Sequence, residues 1–202
     1  DSGEAVAVMV QVLKPAIGRT ELTDAVFRWG FNNESSNGAF FGGCNYFVAG
    51  KAPDVGSAQV FTQSRYSSQE GNVTVVKPNA AGDYVQATWA NKCQTRSGSP
   101  VTSSVTTAFT EQQIVITGGS GWVDPSTRSG EIRWNGDFTV VYYGGLTFWY
   151  ATDPVLVVEN GVGTLTATLS GYGADMDDLT KWEVLQPQQV TLATLRGIQM
   201  TS

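Results

Sequence analysis

The pattern that most restricts this chain is its punctuation. Apolar runs rich in Val, Thr, Ile, Phe, Tyr and Trp are short, and each is closed by Gly, Asn, Asp or Pro. A sustained helix needs apolar residues at three- and four-residue spacing over several turns, whereas short β-branched and aromatic runs between turn formers mark antiparallel strands. Strands are expected at Ala5–Leu13, Ala25–Gly30, Ala58–Thr62, Asn72–Val76, Ser103–Ala108, Gln113–Thr117, Gly130–Val141, Leu146–Tyr150, Val155–Glu159, Gly163–Ser170 and Gln188–Leu195. The most regular segment runs from Glu131 to Phe138. There Ile132, Trp134 and Phe138 share one face, and Arg133, Asn135 and Asp137 the other.

Reversals are legible between these runs. Asn160-Gly161 supplies the positive φ values of a type I′ hairpin turn. Ala81-Gly82-Asp83 and Asp124-Pro125-Ser126 mark others. Leu22–Val26 and Ala174–Lys181 read as helical turns, the second because Asp175, Asp177 and Asp178 suit a helix N-terminus. The cluster Gly118-Gly119-Ser120-Gly121 follows a strand, but with no GK[ST] and no helix behind it, it is not a phosphate loop. No linker or repeat divides the 202 residues. The expectation is all-β: one domain over 1–202, with 1–24 as N-terminal strand and lead-in, folded as a single antiparallel β-sandwich or flattened barrel.

The cysteines, Cys44 and Cys93, lie in a chain rich in Ser, Thr and Gly. They read as a disulfide formed in an oxidising compartment, pinning a loop-rich insertion. Closing so long a loop is worth about 4 kcal/mol on a chain-entropy basis. The alternative is two buried free thiols. The spacing is not CxxC, which argues against a redox or zinc centre.

Several function classes are disfavoured. The net charge is −6 and the 12 basic residues are scattered, so no basic stripe exists for nucleic acid. Charged residues make up 15% of the chain, against roughly 25% in ordinary soluble domains. Such a low-charge surface suits secreted and wall-associated proteins. Val6–Leu13 is apolar but far shorter than the roughly 20 residues of a transmembrane helix. Asp1 opens without a charged and apolar leader, as expected of a mature chain from which any signal peptide has been removed. The chain has no histidine, so a Ser or Cys nucleophile lacks its usual base. Glu131, Asp137, Asp153 and Glu159 lie on or near strands, but nothing in the sequence gathers two of them in a cleft. The expectation is therefore a protein that is not an enzyme.

One stretch carries more. Trp29-Gly30-Phe31-Asn32-Asn33-Glu34 leads through a Gly-rich bridge to Gly43-Cys44-Asn45-Tyr46-Phe47-Val48-Ala49-Gly50. Further on come Gly130-Glu131-Ile132-Arg133-Trp134-Asn135-Gly136, Asp153-Pro154-Val155, Gly163-Thr164-Leu165-Thr166-Ala167 and Val190-Thr191-Leu192-Ala193-Thr194-Leu195. Their order over most of the chain resembles the HtaA domain, a module of actinobacterial surface and secreted proteins that captures haem. The resemblance implies a secreted or cell-surface location, haem as cofactor, and haem or envelope proteins as partners. It puts the haem-iron ligand on Tyr46. Haem-binding members place a histidine beside that tyrosine, and this chain has none.

A tyrosine ligates ferric haem as the phenolate, and a free phenol ionises only near pH 10 (roughly). A neighbouring cation must stabilise the anion; Arg65 and Lys51 are the candidates. Tyr143 and Trp149, beside Gly144-Gly145 in an aromatic hairpin, are candidate walls of a porphyrin slot. The same hairpin serves equally as inter-sheet core, as a contact patch, or as a carbohydrate surface. The acidic run Asp175–Asp178 fits a calcium loop only loosely, because the EF-hand Gly and Glu are missing. Met176 is a possible soft axial ligand, though a lone Met is usually packing. Two readings stay open: haem uptake through Tyr46, and a non-catalytic structural or interaction domain of the envelope that has lost haem binding.

Overall fold

The computed structural model describes residues 18–39, 43–104, 107–175, 177–178 and 180–200. Among these residues eleven strands join in one antiparallel sheet: β1 (Thr20–Trp29), β2 (Tyr46–Ala49), β3 (Gln69–Glu70), β4 (Val73–Pro78), β5 (Tyr84–Gln86), β6 (Gln113–Asp124), β7 (Ser129–Arg133), β8 (Asp137–Tyr142), β9 (Thr147–Glu159), β10 (Val162–Ala174) and β11 (Trp182–Arg196). The main path runs β11-β10-β9-β7-β6-β4-β3, with β1 on β6, β8 on β9, β2 on β8 and β5 on β4. The sheet curls almost into a closed barrel. Among the described residues the only helical segments are single 3-10 turns at Glu34–Ser36, Gln63–Arg65 and Tyr143–Gly145. No helix among them is long and apolar enough to cross a membrane.

The branch in the sheet has a local cause. β7 and β8 both pair with β9, Arg133 opposite Val155 and Asp137 opposite Thr152. Trp134, Asn135 and Gly136 therefore face only Asp153 and Pro154, a bulge that ends one ladder and starts the next. The Gly136 N–H donates to Asp153 Oδ1 at 2.9 Å, and the Asp153 N–H returns a bond to the Gly136 carbonyl at 3.0 Å. Pro154 has no N–H to offer a ladder, and a bulge is where a strand tolerates it. At this break β7 turns towards β6 while β8 takes β2.

Trp134 fills the branch. Its indole is buried, tilted against Phe27 at 5.4 Å, and donates from Nε1 to the Ala25 carbonyl at 2.9 Å. Gly119 lies directly beneath it: a Cβ there would stand 2.2 Å from Trp134 Nε1. The glycine cluster thus belongs inside β6 rather than beyond it. The expected strand Gly130–Val141 is split in two, although its facing is as expected: Ile132, Trp134 and Phe138 are buried and Arg133 and Asn135 exposed.

Two apolar clusters lie on opposite faces of the β2–β8–β9 layer. The larger contains Phe27, Phe47, Ile114, Ile116, Trp134, Phe138 and Val140. The second contains Cys44, Tyr46, Val48, Phe61, Val141, Phe148 and Tyr150.

Other expectations need correction. Leu22–Val26 is strand, held by β6. Ala58–Thr62 is not strand: Phe61 is buried as a single anchor, its N–H bonded to the Gly144 carbonyl at 2.7 Å, while Val60 is exposed. The described part of Ser103–Ala108 is turn and irregular chain. Ala174–Lys181 is a tight β10–β11 connection in its described residues, closed by Lys181 N–H to the Asp178 carbonyl at 2.9 Å. Ala5–Leu13 and Met176 lie outside the described residues. The Asn160-Gly161 turn forms as expected, with φ of 51° and 80°.

Candidate functional site

Tyr46 opens β2, opposite Val141 of β8. All four residues of β2 are buried, so this short strand has no solvent face. Tyr46 and Val48 point into the second cluster, Phe47 and Ala49 into the first. Two long connections lie over the second cluster. The one after β2 supplies Ala52, Phe61, Arg65 and Tyr66, and the one after β5 supplies Trp89, Lys92, Cys93 and Val101. Cys44 and Cys93 are disulfide-bonded with Cα atoms 5.5 Å apart. This bond fastens the second connection to the residue two before Tyr46.

The Tyr46 ring is enclosed on several sides. Phe61 meets it edge-on at 6.4 Å, Tyr66 lies at 6.1 Å and Trp89 at 6.3 Å. Lys92 Nζ stands 3.5 Å from the Trp89 ring centre and 5.1 Å from that of Tyr46. The Tyr46 hydroxyl is buried and meets no hydrogen-bond partner among the described residues; neither does that of Tyr66. Burial pushes the Tyr46 phenol well above its ordinary range, opposed only in part by the charge of Arg65. Burial likewise raises Tyr66 and lowers Lys92. The environment thus holds Tyr46 as the neutral phenol, whereas iron ligation calls for the anion.

The two candidate stand-ins for histidine are committed elsewhere. Arg65 is buried, with Nε and an Nη both donating to the Pro53 carbonyl at 3.0 and 2.6 Å and the guanidinium 3.6 Å from the Phe61 ring centre. Its charge still reaches Tyr46. Lys51 pairs with Asp137 at 3.3 Å on the surface. Nearby, Tyr150 donates to the Ala52 carbonyl at 2.6 Å, and burial raises its pKa to about 12.

The candidate haem contacts do not converge. Trp149 pairs across β8 with Val140, one residue out of step with the Tyr46–Val141 pair, and so faces the first cluster, where it meets Phe31 edge-on at 5.4 Å. Tyr143 sits at the β8–β9 turn, 36% exposed. Tyr46, Tyr143 and Trp149 thus occupy three separate surroundings.

In the acidic connection, Lys181 lies 3.4 Å from Asp175 and 4.0 Å from Asp178. No group of three or more His, Cys, Asp or Glu able to hold a metal ion is present among the described residues. The strand carboxylates are similarly engaged: Glu131 pairs with Arg133, Asp137 with Lys51, and Asp153 accepts from Gly136.

Sequence reasoning missed Tyr66, Trp89 and Lys92 as neighbours of Tyr46. A signal was available for Trp89 and Lys92, though not for Tyr66. If Cys44 and Cys93 are bonded, residues just before Cys93 must lie near those just after Cys44. No family model, curated protein or solved structure matches this chain.

Proposed function

We propose that this chain is a non-catalytic, HtaA-like β-domain of a secreted or cell-surface protein, serving as a structural or protein-interaction module of the envelope. The observation that carries the reading is the enclosure of Tyr46. Its hydroxyl is buried beneath chain fastened by the Cys44–Cys93 bond. The absence of histidine from the sequence and the low-charge surface support it too. The disulfide suits an oxidising compartment.

Haem capture through Tyr46 is the second reading, and one observation favours it. A buried phenol with no partner is costly, and phenylalanine would fill the same space without that cost. A group kept at such cost is a reasonable place to look for a ligand. Titration of ferric haem into wild type and Tyr46→Phe separates the two. The structural reading expects no saturable Soret change at one equivalent in either protein. A saturable band in wild type that Tyr46→Phe abolishes would establish the haem site instead.

A further inference from the structure

Asn-Gly occurs at Asn37-Gly38, Asn135-Gly136 and Asn160-Gly161. Each pair holds the parts of one spontaneous reaction. The glycine nitrogen loses its proton to hydroxide and attacks the asparagine Cγ; the Cγ–Nδ2 bond breaks and ammonia leaves. Water then opens the resulting succinimide at either carbonyl, giving aspartate or isoaspartate. Glycine has no side chain to shield the nitrogen, so the dipeptides alone rank equally. The fold separates them.

At two pairs the nucleophile is held by a third group. The Gly136 N–H donates to Asp153 Oδ1 at 2.9 Å. Deprotonation there forfeits a charge-assisted bond and sets an anion beside a carboxylate. The Gly161 N–H donates to the Arg128 carbonyl at 2.8 Å, and Asn160 is fixed at positive φ in its turn.

At Asn37 the arrangement differs. The Gly38 N–H donates to the Oδ1 of Asn37 itself, at 2.8 Å. The nucleophile therefore stands beside the side chain it attacks, and the atom it touches is one bond from Cγ. Loss of the Gly38 proton spreads charge onto the Asn37 carbonyl oxygen, which belongs to the same peptide group. The Asn45 backbone N–H donates to that oxygen at 2.9 Å and stabilises the anion. The Asn135 carbonyl has a comparable donor, Asn72 Nδ2 at 3.0 Å, so the distinction lies at the nitrogen.

The surroundings support the chemistry. A Cβ on residue 38 would stand 2.3 Å from the Thr102 carbonyl carbon, which fixes glycine at this position. Asn37 and Gly38 line an open cleft of about 400 Å³, wide enough for water to enter. We propose that Asn37 is a site of spontaneous deamidation, which places a new carboxylate in the cleft that Glu34 also lines. In the isoaspartyl product the main chain runs through Cβ and is one methylene longer. The extra length falls just before the Gly38–Cys44 bridge that leads into β2. The modification marks the age of each molecule and does not depend on whether Tyr46 meets haem.

Incubating the native protein in mildly alkaline buffer tests the proposal, with peptide mapping by mass spectrometry and enzymatic methylation of isoaspartate as readouts. Position 37 converts ahead of 160 and about tenfold faster than 135, the factor set by one hydrogen bond to a charged group. In guanidinium the three rates draw together. Asp153→Asn keeps an acceptor for Gly136 but removes its charge; it speeds position 135 several-fold and leaves 37 unchanged. The proposal is overturned if 135 or 160 converts as fast as 37 in the native protein. It is equally overturned if the ranking persists in denaturant, or if Asp153→Asn leaves 135 as slow as before.

Discussion

Replacing Tyr46 by Phe should stabilise this protein, the reverse of what the same change does at a hydrogen-bonded tyrosine. The Tyr46 ring is packed by Phe61, Tyr66 and Trp89, contacts that phenylalanine keeps. The hydroxyl alone is lost, and it is buried with no partner. An unsatisfied buried polar group costs about 1–3 kcal/mol, so its removal should return about 1 kcal/mol. Tyr150 is the control on the same cluster. Its hydroxyl donates to the Ala52 carbonyl, so Tyr150→Phe strips a buried acceptor of its partner and should cost about 1 kcal/mol or more. The two variants then differ by roughly 2 kcal/mol, or roughly 4–8 °C in Tm for a domain of this size. Guanidinium denaturation at unchanged slope gives the free energies directly. A Tyr46→Phe protein less stable than wild type by about 1 kcal/mol would mean that the hydroxyl is engaged in solution, and the account of its enclosure would fall.

Three further expectations follow from the fold. Replacing Cys44 and Cys93 together by Ser should lower stability by about 4 kcal/mol, read by denaturation of the variant against oxidised wild type; an unchanged midpoint would show that the bond closes nothing. Gly119→Ala drives a methyl into Trp134 and breaks its bond to Ala25, at about 2–4 kcal/mol, with loss of the near-ultraviolet dichroism of a fixed indole; a silent variant refutes the packing at the branch. Burial raises the pKa of Tyr46, Tyr66 and Tyr150, so the folded state holds these protons more tightly than the unfolded chain, whose phenols ionise near pH 10 (roughly). Stability is full below that pH and is lost as pH rises through about 12, the value for Tyr150. The phenolate absorbance of these residues should appear together with unfolding; an earlier, independent titration contradicts their burial.

The sequence made local facts readable and joint ones obscure. Alternation from Glu131 to Phe138 gave the correct faces because side-chain direction depends only on the strand's own pleat. Asn160-Gly161 announced its turn because positive φ is a property of those two residues. The branch was invisible, since it arises where three residues of one strand meet two of another. Asp153-Pro154 reads as a stop and divides β9 into two expected strands, and Pro187 likewise delays the expected start of β11. In both strands a register shift lies beside the proline. The separation of Tyr46 from Trp149 was equally hidden. Which of two adjacent residues shares a face with a distant one is set by pairing register, and register is a long-range fact.

The double-sided burial of β8 has a kinetic consequence. Phe138, Thr139, Val140 and Val141 are all shielded, two of them by one cluster and Val141 by the other. Solvent reaches their peptide groups only when both halves of the interior have come apart. Their amide protons should therefore be the slowest in the molecule to exchange with deuterium, at a rate set by global opening. A substitution that weakens either aromatic cluster lowers the free energy of that opening and quickens the clock, while the amides of the largely exposed β11 exchange earlier.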